Sequence, residues 1–264
     1  MKTLRIIDIG LLFAIWSRCA MAFDIQVPAI PSFAEGNDGM GAPLVIGPGG
    51  TMYFQQVYSS SAFPGLAQQG GGWITALTFP QDPSATAKLE ALRVDLQVIL
   101  STTPNAPDGL STTFSQNLGG NTTLVFPRQI FDVTLPNGGA PLTIPLQTPF
   151  YYNASAGQNL LLDIRNYGAI YGVGGIGSAA FDAQTTFGDA VSVVRSFGVN
   201  STTGVANTSG LVTTFTFSPI PEPSPPRVAG CGLVVFGLLT LLKKVIYSRR
   251  LEAKARANRE AKCL

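Results

Sequence analysis

The sequence predicts an all-β protein: a single β-sandwich or jelly-roll-like domain with a targeting segment at each end. Three observations carry this. Hydrophobic residues make up 45% of the chain and charged residues only 12%, enough apolar mass for a core but too little Glu, Lys and Arg for long amphipathic helices. Gly 29 and Pro 19, with many Thr and Ser, supply turns at short intervals. Residues 89–101 alternate, with Leu92, Val94, Leu96, Val98 and Leu100 against Arg93, Asp95 and Gln97, which is the period of a half-buried strand.

Taken in order, residues 1–22 read as a secretory signal peptide. Lys2 and Arg5 give the positive start, residues 6–16 the apolar stretch, and Ala20 and Ala22 the small-x-small cleavage pattern. Residues 23–50, rich in Pro, Gly and small side chains, form a loosely ordered lead-in or an edge strand. The β-domain spans 51–218, with strands expected at 52–58, 73–79, 89–101, 122–126, 129–135, 160–165, 191–197 and 211–217. Turn signals at 107–109, 119–121, 136–139 and 153–157 punctuate them. A single helical turn is expected near 85–89. No internal repeat marks a propeller or solenoid, so two packed sheets are the expected architecture.

Pro219, Pro221, Pro223, Pro225 and Pro226 make 219–227 a stiff linker. Residues 228–242 are then apolar. Val245, Ile246 and Tyr247, with Lys243 and Lys244 reaching towards head groups, extend this run to a transmembrane length over 228–247. A basic cytoplasmic tail follows over 248–264, opening with Arg249 and Arg250.

The order Pro221-Glu222-Pro223, apolar helix, arginine pair resembles the PEP-CTERM sorting signal of Gram-negative bacteria. The resemblance implies secretory export, retention in the inner membrane, and processing by an exosortase, a transpeptidase-like membrane enzyme that recognises Pro221, Glu222 and Pro223. The expected destination is the cell surface or extracellular matrix. Here the chain runs on past the arginines to Leu264, further than such signals usually extend. Residues 100–111 and 160–166 also resemble segments of one uncharacterised group of secreted β-domains, a likeness that implies a shared fold and no activity.

Charge and composition exclude several chemistries. Residues 23–220 carry eleven acids and five bases, whereas 243–264 carry eight bases and two acids. An acidic body does not attract phosphates, so nucleic acid is not an expected partner. Histidine is absent, and the three cysteines, Cys19, Cys231 and Cys263, all lie in the terminal segments. The body therefore has no Ser-His-Asp or Cys-His catalysis, no His or thiolate zinc site and no internal disulfide. No cofactor and no metal are expected.

Four charged residues stand out as a site. Arg93 with Asp95, and Asp163 with Arg165, each fall two apart on a strand, on the face opposite the apolar set. On neighbouring strands they would form a cross-strand ionic network. The enzymatic alternative makes Asp95 and Asp163 a glycosidase pair, although adjacent arginines oppose a general-acid role by favouring ionised carboxylates. Trp73, Tyr151, Tyr152 and Tyr167 would stack on sugar if they converged, and otherwise fill a core. Residues 35–39 and 105–109 offer loop oxygens of the kind calcium takes, without the alternating spacing of a dedicated loop. The Gly-rich stretch 167–178 lacks the ending of a phosphate loop.

The sequence thus supports an exported, membrane-tethered or exosortase-processed protein with a structural or adhesive, non-catalytic domain. Its expected partners are the exosortase, the membrane, and exopolysaccharide or other surface glycans. Two alternatives stand beside it. One is a carbohydrate-binding or glycan-active surface protein. The other is a eukaryotic single-pass glycoprotein, for which the triplets starting at Asn121, Asn153, Asn200 and Asn207 would be acceptors.

Overall fold

A computed structural model of the chain describes residues 22–29, 36–44, 49–84, 89–135, 140–170 and 180–218. All belong to the unit ending at Ile220, from which Pro221–Leu264 divides as a second unit. Ala20, the Pro221-Glu222-Pro223 motif, Lys243, Lys244, Arg249 and Arg250 lie outside the described residues. Among those that are described, no helix is long and apolar enough to cross a membrane. Ala22 is exposed and directly precedes the first strand.

The domain is an all-β, sandwich-like fold of antiparallel sheets. A four-stranded sheet has the order β1 (Phe23–Val27), β13 (Thr213–Ser218), β4 (Gly72–Phe79), β7 (Leu142–Tyr152). A six-stranded sheet has the order β11 (Val205–Asn207), β10 (Val191–Phe197), β3 (Met52–Tyr58), β8 (Asn159–Ile170), β5 (Leu89–Thr103), β6 (Thr123–Leu135). A small third sheet joins β12 (Ser209–Leu211), β9 (Phe181–Thr185) and β2 (Asp38–Met40).

Alternation explains the main core. Leu92, Val94, Leu96, Val98 and Leu100 of β5, and Leu160, Leu162 and Ile164 of β8, meet Ile74, Leu77, Phe215 and Phe217 of the smaller sheet in one buried cluster. Rings lock the two sheets together: Tyr58 meets Phe215 edge-on at 4.9 Å, and its hydroxyl shares a 2.7 Å hydrogen bond with Thr213. After β3 a short helix, α1 (Pro64–Gln68), closes one end, and Phe63 before it packs edge-on to Tyr152 and Phe215. The third sheet is held by Met40, Phe181, Ala183 and Leu211 in the main core, by a bridge between Gln81 and Phe181, and by one polar side chain. Buried Gln56 donates to the Leu211 carbonyl and accepts from the Leu211 amide, both at 2.8 Å, as a neighbouring strand's backbone would.

Three differences from the expected strands have clear physical causes. The segments 122–126 and 129–135 are one strand, because Pro127 falls at a register shift where the ladder is already interrupted. Strand β7, absent from the expected set, contains Pro145 and Pro149. It lies at a sheet edge, where an absent N–H leaves no partner unmet. The segment 211–217 divides at Val212, where the chain passes from the small sheet to the four-stranded one.

Candidate functional site

The outer face of the six-stranded sheet is not solvated where the sequence led us to expect it. The loop 104–122 crosses it and seals a second buried cluster of Tyr53, Val57, Leu110, Phe114, Leu161 and Val194. The Phe114 ring stacks on Tyr53 at 3.9 Å between centroids and 15° between planes. Space is tight enough that a Cβ on Gly204 would lie 2.8 Å from the Phe114 ring. At the loop tip, the Asp108 amide donates to Ser192 Oγ at 2.7 Å and Asp108 Oδ2 accepts from the Gly188 amide at 2.8 Å.

Beneath this roof is a polar network. Asp163 is 1% exposed, and its Oδ2 accepts from the Tyr53 hydroxyl at 2.9 Å and from Gln55 Nε2 at 2.8 Å. Gln55 Oε1 accepts from Asn117 Nδ2 at 3.0 Å. Asn117 in turn ties the loop to itself, accepting from the Ser111 amide and from Asn105 Nδ2, both at 2.8 Å. The Arg165 guanidinium sits 4.6 Å over the Tyr53 ring and donates to its hydroxyl at 3.0 Å, while Arg165 Nε lies 3.7 Å from Asp163 Oδ1. Burial pushes the Asp163 carboxyl above its ordinary range, against the pull of Gln55, Tyr53 and Arg165. Burial, with the Asp163 charge adding to it, pushes the Tyr53 phenol up to about 12.

The strands bearing the two predicted charge pairs are neighbours, but their register keeps the pairs apart. Arg165 lies opposite Gln97 and Asp163 opposite Ile99, so Asp95 stands four residues from the position facing Asp163. That is roughly 13 Å along the strand, beyond either carboxylate separation used by glycosidases. Arg93 and Asp95 turn to the other neighbour instead. Arg93 Nε lies 3.3 Å from Asp132 Oδ1. Arg128 grips Asp95 through Nε at 3.0 Å from both oxygens and through Nη2 at 2.7 Å. The Arg128 guanidinium also lies 3.8 Å over the Tyr167 ring, and its hydrogen bond to Asp95 raises its pKa.

The four aromatics separate in the same way. Tyr152 is fully buried in the core, and Tyr167 belongs to the six-stranded sheet, donating to Gln97 at 2.9 Å. Trp73 and Tyr151 stay together on the outer face of the four-stranded sheet, directly opposite each other across β4 and β7. Their centroids are 5.3 Å apart, with planes inclined by 59°, and both are more than a third exposed.

The oxygen-rich loops are occupied by pinning contacts. Asn37 exchanges hydrogen bonds with the Thr185 backbone, and Asp38 Oδ2 accepts from Thr185 Oγ1. Among the described residues no cluster of three or more acidic or sulfur side chains is arranged to hold a metal.

Tyr53, Gln55, Phe114 and Asn117 were not singled out by sequence. The signal available for the loop was its apolar punctuation, Leu110, Phe114 and Leu118 at intervals of four in an otherwise polar stretch. No protein-family model matches the chain, and no curated protein matches it. Among solved structures, a chain from "Structure of infectious bursal disease virus Gt strain" aligns at 12% identity and TM-score 0.21, over 82% of this chain and 49% of that one. The present chain thus spans about half the length of that viral chain, and a likeness this slight carries no argument.

Proposed function

We propose that this chain is an exported surface or extracellular-matrix protein whose β-domain does structural or adhesive work without catalysis. In this reading the C-terminal segment holds the precursor in the inner membrane until an exosortase-type enzyme acts near Pro221-Glu222-Pro223. The order of proline-flanked glutamate, apolar run and basic tail supports the route.

One observation carries the non-catalytic half. Asp163, the body's most sheltered carboxylate in a predicted site, is enclosed beneath the loop and hydrogen-bonded to Tyr53 and Gln55. A general acid needs both a raised pKa and access to substrate, and Asp163 has only the first. Asp95, the other candidate, is gripped by Arg128 through Nε and Nη2.

The test replaces Pro221, Glu222 and Pro223 by alanine in the native host. Precursor of full size is then expected to accumulate in the membrane fraction, with loss from the surface or medium. Unchanged size, location and membrane retention would end the sorting reading.

A further inference from the structure

The outer face of the four-stranded sheet is chemically unlike an ordinary solvated face. Its outward side chains are mostly hydroxyls and rings. Thr214 and Thr78 are register partners, as are Thr78 and Thr143, and the last two share a 2.9 Å hydrogen bond. Thr216 lies between Asp24 and Ala76, and Ser218 between the end of the sheet and Trp73. Asp24 is the only Asp, Glu, Lys or Arg among the outward side chains of these four strands, and it stands on the edge strand. Sheets that face only water usually carry interspersed charges of both signs.

We propose that this face binds an uncharged polysaccharide chain, with Trp73 and Tyr151 as its stacking anchor. Sugar rings present C–H faces that pack on indole and phenol rings, and hydroxyls that pair with Thr and Ser. A face with no cation offers nothing to an anionic glycan or to a phosphate. The 59° inclination between the two rings matters as well. They cannot both lie flat on a crystalline sheet of polymer, but they can meet successive units of a single twisted chain. The Tyr151 ring is held for this by a 2.7 Å hydrogen bond from its hydroxyl to the Gly70 carbonyl. The proposal deepens the surface-protein reading, and rests on it for contact with such a polymer in life, by naming what the domain would hold.

Trp73 is one of two tryptophans, the other being Trp16 in the leader, so a full-length Trp16→Phe chain reports on this face alone. The experiment titrates that protein with mixed-linkage β-glucan, galactomannan and amylose, with alginate as the anionic control. Tryptophan emission and retardation in native gels containing each polymer are the readouts. A saturable emission shift and retardation are expected with at least one neutral polymer. Tyr151→Ala should weaken both about tenfold, and Trp73→Ala should abolish retardation. No response to any neutral polymer, equal retardation by alginate, or unchanged binding by Trp73→Ala would overturn the proposal. A circular dichroism spectrum of each variant separates loss of binding from loss of fold. None of these outcomes depends on export, so the Pro-Glu-Pro substitution and this titration fail independently.

Discussion

The two outer faces of the sandwich are treated in opposite ways. On the six-stranded sheet the chain roofs itself: the loop 104–122 lays Leu110 and Phe114 over Tyr53, Val57 and Leu161. On the four-stranded sheet Trp73 and Tyr151 stand in solvent with threonines beside them. The difference teaches how a face is claimed. The first has apolar residues of its own, Val57, Leu161 and Val194, that must be covered, along with a carboxylate that the same cover encloses. The second has nothing that the fold itself must hide, so its rings remain available.

The comparison can be broken most decisively at Phe114. Its ring is 1% exposed and stacked on Tyr53, so Phe114→Ala should cost about 3 kcal/mol or more in denaturant unfolding and open residues 104–122 to protease. Asn117→Ala comes next. It leaves Gln55 Oε1 and the Ser111 amide unpaired beneath the loop, for a loss of about 1–3 kcal/mol. Trp73→Ala, on the bare face, should cost less, about 2 kcal/mol, from the ring pair and the covered part of an indole that is 38% exposed. Should Trp73→Ala destabilise as much as Phe114→Ala, the distinction between a roofed and a bare face would collapse.

The sharpest test concerns Asp163. Its folded pKa is raised by burial, so the native state holds the proton to higher pH than the unfolded chain does. Stability from this group is therefore full at low pH and declines as pH rises from the ordinary carboxylate value to the raised one. Asp163→Asn should flatten the dependence of melting temperature on pH across that interval, and should gain on the parent protein above it. A parallel pair of profiles would show that Asp163 is not the titrating group.

Much of the fold was legible because one physical rule, alternation, governs strands with one dry and one wet face. Strand β5 follows it, with Leu92, Val94, Leu96, Val98 and Leu100 buried and the residues between them less so, while β3 and β10 match the expected 52–58 and 191–197 in their bounds although β3 is buried throughout. The rule fails where both faces are dry. In β8, Leu160, Leu161, Leu162, Asp163 and Ile164 are all buried, and Asp163, expected to face water, sits beneath the loop while Arg165 stays partly exposed. Edge strands were illegible for another reason: β7 tolerates Pro145 and Pro149 because of where it lies in the sheet, which is a tertiary fact. The site was harder still. Arg93, Asp95, Asp163 and Arg165 were visible as charges, but bulges between Val94 and Leu96 and between Leu96 and Val98 set their partners. Nothing in the string Met52–Tyr58 marks Gln55 as a link between a carboxylate and a loop.

Strand β8 has a further consequence. It is laddered on both sides, to β3 and β5, and covered above and below by two separate clusters. Its amides can meet deuterium only when the whole domain comes apart, so they should exchange last and report global unfolding. The amides of the edge strand β11, with all three residues exposed, should exchange early, giving the molecule an internal clock that runs from its rim to its spine.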